Sequence, residues 1–152
     1  MKLSDILAKN AIISDLQSSS KKEILNEFAK LAATISPQLS EQNILEILLS
    51  REQLGSTAVG NGVAIPHGKM SGLSNIIAMF GRSKSGVDFQ SHDSENTHLF
   101  FVLLAPETAI GNHLQALARL SRLLKDNKTR EELIQCPSDK LFDTLIAEDE
   151  KI

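Results

Sequence analysis

His67 is the residue of this chain best placed for covalent chemistry. It follows the β-prone run Val63-Ala64-Ile65, and Pro66, which has no amide hydrogen to give, ends that ladder and puts the imidazole at a strand exit. Gly68 comes next and permits close backbone approach to a bulky ligand such as a phosphoryl group. A loop histidine without a role fits the same local sequence, so other residues must decide. His113 stands four residues before Leu117 and seven before Leu120, on an apolar stripe continuing to Leu124, which turns it toward the sheet at the first turn of its helix. Arg51 lies seven residues after Ile44, on the buried side of another helix and near its C-terminal end. Singly, a satisfied buried histidine and a snorkelling arginine account for them. Jointly they suit a phosphoryl group on His67, whose roughly two negative charges Arg51 meets with charge-assisted bonds while His113 and nearby amides donate others. Such electrostatic stabilisation is the chief means of catalysing phosphoryl transfer.

The remaining candidates are weaker. His92 sits in the polar turn Gln90 to Asn96 and His98 opens an apolar strand, so both are expected to be structural or solvated. Cys136 precedes Pro137 with no basic residue beside it in sequence, which argues against a nucleophile. Arg119, Arg122 and Lys125 recur every third position on the outer side of the His113 helix, a face that is solvated or docks an acidic partner. Gly60-Asn61-Gly62-Val63-Ala64-Ile65 lacks the third glycine of a dinucleotide fingerprint, and the stretch Gly62 to Lys69 has one residue too many for a phosphate-binding loop. There is no Gly-x-Ser-x-Gly elbow and no pair of histidines at zinc-ligand spacing.

These side chains need elements to hold them. Ser20-Lys21-Lys22-Glu23 is a capping box, and Ile24, Phe28, Leu31 and Ile35 continue it as an amphipathic helix that stops before Pro37. Ser40 caps a second helix whose buried face is Ile44, Ile47, Leu48 and Leu54, with Gly55 as its stop. Thr57 to Val59 and Val63 to Ile65 read as a hairpin around Gly60-Asn61-Gly62. Ile76 to Phe80 is a further strand, and Leu99 to Ala105, apolar throughout, reads as a central strand covered on both faces. Helices follow from about Asn112 to Leu124, from the Thr129-x-x-Glu132 box, and from Ser138. Helices at both ends with strands between them predict an α/β sandwich, a central mixed sheet flanked by helices.

Composition narrows the function classes. The 152 residues suit a single domain, 1–152, and 41% hydrophobic with 23% charged residues is ordinary globular composition. A net charge of −3 offers no basic field, and no Trp, no Tyr and six Phe leave few stacking platforms, so no nucleic-acid partner is expected. The N-terminus lacks a signal-peptide core and no apolar run approaches the roughly 20 residues of a spanning helix, so no membrane insertion is expected. A lone cysteine fits a reducing, cytoplasmic setting.

The segment Arg51 to Lys69, REQLGSTAVGNGVAIPHGK, resembles the signature of type-2 enzyme IIA domains of the bacterial phosphoenolpyruvate phosphotransferase system. Glu52, Val59-Gly60, Val63-Ala64-Ile65 and Pro66-His67-Gly68 fall in register, and Ala105-Pro106-Glu107 and Asn112-His113-Leu114 also look like family counterparts. The resemblance implies a mannitol-type IIA fold and a His67 that accepts a phosphoryl group from an HPr-like carrier, either HPr or its nitrogen-branch homologue. It surrounds that phosphate with Arg51 and His113, to which Gly68 and Ser56 are added as phosphate-binding residues, and it requires no cofactor or metal. Arg51 to Thr57 and Gly60-Asn61-Gly62 look most like the nitrogen-regulatory branch, although Ala58 stands where that branch often has Gly. That branch implies control of a regulatory target such as a transporter or kinase. The alternative is a IIA component of a fructose- or mannitol-type sugar importer that passes the phosphate to a IIB cysteine.

Overall fold

The computed structural model describes residues 1–152 and arranges them around a six-stranded mixed sheet. In chain order the strands are β1 (Leu7–Ile13), β2 (Ala58–Gly60), β3 (Val63–Ala64), β4 (His67–Met70), β5 (Ile77–Val87) and β6 (Thr97–Pro106). The helices are α1 (Lys21–Ile35), α2 (Glu41–Gln53), α3 (Ile110–Lys125), α4 (Asn127–Gln135) and α5 (Leu141–Glu150). Spatially the sheet runs β1-β5-β6-β3-β2, and β4 also pairs with β6. The apolar run Leu99 to Ala105 is fully buried at its centre, antiparallel to β5 on one side and parallel to β3 and β4 on the other. The α/β sandwich expected from the element pattern is the fold observed.

Local signals act where expected in the first half. The Ser20 hydroxyl accepts from the Glu23 amide, and the Ser40 hydroxyl accepts from the Asn43 amide. Asn61 and Gly62 join β2 to β3 with φ of 58° and 77°, the double positive φ that a two-residue hairpin turn demands.

Several expectations need correction. The chain opens with a 3₁₀ turn, Leu3–Asp5, and an edge strand, not a helix. Pro66 interrupts the ladder but does not end it. Its carbonyl accepts from the Leu103 amide, and β4 resumes pairing at once from His67↔Leu103 to Met70↔Pro106. His67 therefore opens a strand. Leu54 is 84% exposed and does not join the buried face of α2. The cap of α4 is Asp126, whose carboxylate accepts from both the amide and the hydroxyl of Thr129 and is thereby held below the usual carboxylate range. Ser138 lies in a 3₁₀ turn ahead of α5, its hydroxyl taken by Arg82.

Cys136 has no basic neighbour in sequence, but Arg82 of β5 lies beside it in space. The guanidinium is buried and donates to the carbonyls of Leu133 and Cys136, at the negative end of the α4 dipole, and lies 3.9 Å from the Cys136 sulfur. Arg119, expected on a solvated face, instead binds the buried Asp149 carboxylate at 2.7 Å, which ties α3 to α5. His98 donates from Nδ1 to the Ser83 carbonyl of the sheet at 2.9 Å, since that oxygen can only accept. No helix is long and apolar enough to cross a membrane.

Candidate functional site

The alternation of β4 sorts its side chains. A Cβ on Gly68 would fall more than about 1 Å inside the 3.5–4.0 Å at which carbon atoms rest, against Ile47 Cγ2 of α2. The glycine thus lets α2 lie directly on β4, a packing role in addition to its place in the wall of the cavity. One helical turn beyond Ile47, Arg51 is brought against the same strand. His67 and Lys69, neighbours of Gly68, take the opposite face of β4. There the His67 ring meets His113 of α3 edge to face, with centroids 5.4 Å apart.

Hydrogen bonds define the His67 tautomer. Nδ1 lies 2.9 Å from the Ile65 carbonyl, which can only accept, so Nδ1 carries the proton. Nε2 is then left with its lone pair, and that nitrogen accepts from Arg51 Nε at 3.3 Å. Arg51 is steadied by donation from Nη1 to the Gly55 carbonyl at 2.9 Å. Next to it, buried Glu52 holds the end of α2 in place, accepting from Lys21 of α1 at 2.9 Å and from the amide and hydroxyl of Thr57. Lys21 in turn lies over the Phe89 ring.

The site is a cavity of about 450 Å³ lined by His67, His113, Arg51, Lys69, Ser50 and Gly68, with Ile47, Leu54, Ile110, Leu114 and Leu117. Burial pushes the His67 imidazole below its ordinary pKa; the bond to Ile65 opposes this and the Arg51 charge adds to it. Burial also lowers His113, reinforced by the nearby His67 and Lys69. Both rings are therefore held neutral near pH 7, and neutral His67 presents a nucleophilic lone pair. His113 is 4% exposed, and its Nε2 is buried without a hydrogen-bond partner.

Of the expected residues, Arg51, His67, Gly68 and His113 converge on this cavity. Ser56 does not. Its hydroxyl donates to the Phe89 carbonyl and accepts from the Ala58 amide, which fixes the entry to β2. Lys69 was missed, although period-two alternation from His67 along a strand would have found it. His92 packs against Gly60, away from the cavity.

Residues 5–149 match the family model of the phosphoenolpyruvate-dependent sugar phosphotransferase system, EIIA 2. The nitrogen regulatory protein of Bradyrhizobium diazoefficiens is 47% identical over 133 residues, covering 88% of this chain and 86% of that protein. The fructose-specific EIIABC component of Bacillus subtilis is 35% identical over 151 residues, 99% of this chain but 24% of that much longer protein. The crystal structure of the nitrogen regulatory protein IIA-Ntr from Neisseria meningitidis superposes with a TM-score of 0.87 at 34% identity, covering 95% of this chain and 98% of that one. The chain belongs to the EIIA type-2 family of the phosphotransferase system.

Proposed function

We propose that this protein is a nitrogen-branch phosphocarrier that accepts a phosphoryl group on Nε2 of His67 and controls a target protein by its phosphorylation state. The observation that carries the reading is the pair of bonds on His67, with Nδ1–H fixed to the Ile65 carbonyl and Nε2 turned to Arg51. Nε2 attacks the phosphorus of a donor phosphohistidine, its lone pair forms the new N–P bond, and the electrons of the donor's N–P bond return to the donor ring. The phosphorylated His67 ring gains positive charge, which its Nδ1–H shares with the Ile65 carbonyl. Arg51 and Lys69 face the phosphoryl oxygens, and His113 supplies a further polar atom that is unpartnered in the free protein. The donor is an HPr-like carrier, and the exposed Leu54, Ile110 and Leu114 around the cavity give it an apolar surface to dock on.

The regulatory reading is favoured over sugar import because nitrogen regulatory proteins match this chain over nearly their whole length. Incubation with phosphoenolpyruvate and the general carriers should add one acid-labile phosphoryl group. Full labelling of His67→Ala would refute the assignment.

A further inference from the structure

We propose that in the unphosphorylated protein the His67 cavity takes a carboxylate side chain of its target protein, flanked by apolar residues of the same segment, in the place the phosphoryl group later fills. This rests on the phosphocarrier reading and adds how the target reads the phosphorylation state. The polar half of the cavity is built for an anion. Arg51 uses Nε and Nη1 in the free protein but makes no bond through Nη2, and Lys69 forms no ion pair. His113 Nε2 is buried and unpartnered. No Asp or Glu lines the cavity, and the nearest acid in sequence, Glu52, is committed to Lys21 and Thr57. An excess of positive charge beside an unsatisfied buried atom favours an anionic side chain.

The apolar half argues for a protein segment over a free anion. A phosphoryl or carboxyl group fills only a small part of about 450 Å³, and Leu54, Ile110 and Leu114 are 84%, 56% and 62% exposed beside the cations. Grouped exposed apolar side chains with polar groups beside them mark interaction surfaces. A segment with one acid between leucines matches both halves. Phosphorylation of His67 then consumes the same donors and adds about two negative charges, which repel the carboxylate. Target binding is thereby confined to the unphosphorylated form.

The test is a titration of the full chain, followed by NMR, with two blocked pentapeptides, acetyl-Leu-Ala-Glu-Leu-Leu-amide and its Gln twin, and with succinate. The Glu peptide should move the His113 and Lys69 signals, and the Gln twin should bind at least about tenfold more weakly. Lys69→Gln should lose a similar factor for the Glu peptide only. Phosphorylated protein, verified by the mass of one added phosphoryl group, should bind the Glu peptide at least about tenfold more weakly than unphosphorylated protein. Equal affinity for the twins, no binding of either, or succinate binding as tightly as the Glu peptide would each overturn the proposal, as would indifference to phosphorylation. Failure to gain the phosphoryl mass strikes the phosphocarrier reading instead, while the peptide comparison on unphosphorylated protein still decides whether a carboxylate segment binds.

Discussion

Gly68→Ala separates packing from ligand approach as the reason for the glycine beside His67. The added methyl meets Ile47 Cγ2, part of an α2 that is anchored at its end by the Lys21–Glu52 pair and so cannot retreat freely. Overpacking of this kind costs about 1–3 kcal/mol, and the smaller entropy of the unfolded alanine chain offsets about 0.4–1 kcal/mol. The net expectation is a loss of about 0.5–2 kcal/mol in urea unfolding. Relief of the overlap requires α2 to shift by about 1 Å, which stretches the 3.3 Å Arg51–His67 contact past hydrogen-bond range. A misplacement of that size slows single-turnover phosphoryl acceptance by about 10²-fold. Ile47→Ala deletes the clashing methyl, so the double variant should accept faster than Gly68→Ala alone. Its stability loss should fall short of the two single losses added together. If Gly68→Ala slows acceptance with stability unchanged and Ile47→Ala gives no rescue, the glycine serves the ligand and the packing argument is wrong.

Three other outcomes follow from the same contacts. His67 and His113 are held by burial below the ordinary histidine value of about 6.5, so the unfolded chain binds more protons between their folded values and about 6.5. Stability is therefore complete above pH ~6.5 and declines as pH falls through that window. His67→Gln/His113→Gln should show a shallower decline by urea midpoint, and equal slopes would refute the shifts. Glu52→Gln leaves Lys21 without its buried counter-charge and should cost about 3 kcal/mol in urea unfolding; a loss under about 1 kcal/mol would show that the pair does not anchor α2. Arg51→Lys keeps the charge but not the planar fork that reaches both Nε2 and the Gly55 carbonyl, so acceptance should slow about tenfold with folding stability little changed. An unchanged rate would mean that charge alone suffices.

What could be read from the chain was whatever depended on near neighbours. The Ser20 and Ser40 caps, the Asn61-Gly62 turn and the apolar β6 are each encoded within a few residues, and each was legible. Strand β1 was not, because its pairing with β5 shifts register between Leu7 and Ile12. Its fully buried positions, Leu7 and Ala11, consequently fall four apart instead of alternating. Thr129 and Ser138 sit in plausible capping positions, but Asp126 lies three residues earlier with a stronger acceptor, and the Ser138 hydroxyl is taken by Arg82 of β5. In the site, helical spacing turned Arg51 and His113 inward, yet nothing local required them to meet. Their meeting depends on β4 resuming after Pro66 and on Ile47 resting against Gly68, both long-range facts. Lys69 was overlooked for the same reason: with His67 read as a loop residue, no alternation applied beyond it.

On the proposed phosphocarrier reading, the resting contact between Arg51 and His67 also bears on how transfer proceeds. The Nε2 lone pair that must attack phosphorus is the one that accepts from Arg51, so attack and this hydrogen bond exclude each other. At 3.3 Å the bond is at the long end for N–H donors and is weakly held, whereas the 2.9 Å tie to Gly55 is of ordinary length. An arriving phosphoryl group offers anionic oxygens, which are better acceptors than a neutral imidazole nitrogen. The guanidinium can then pass from nitrogen to oxygen while Gly55 keeps it in place, and the lone pair is freed as the phosphoryl group arrives. Before transfer the same contact holds the ring with Nε2 toward the cavity, and Nδ1–H···O=C from Ile65 holds its other side. In the proposed phosphorylated state the ring would be cationic, and that second bond would become charge-assisted. Cleavage of the N–P bond would return the electron pair to nitrogen and release a neutral imidazole, a good leaving group, so on the proposed reading His67 would hold the phosphoryl group and still let it go. Reversibility of this kind is what distinguishes a carrier from an acceptor at the end of a chain.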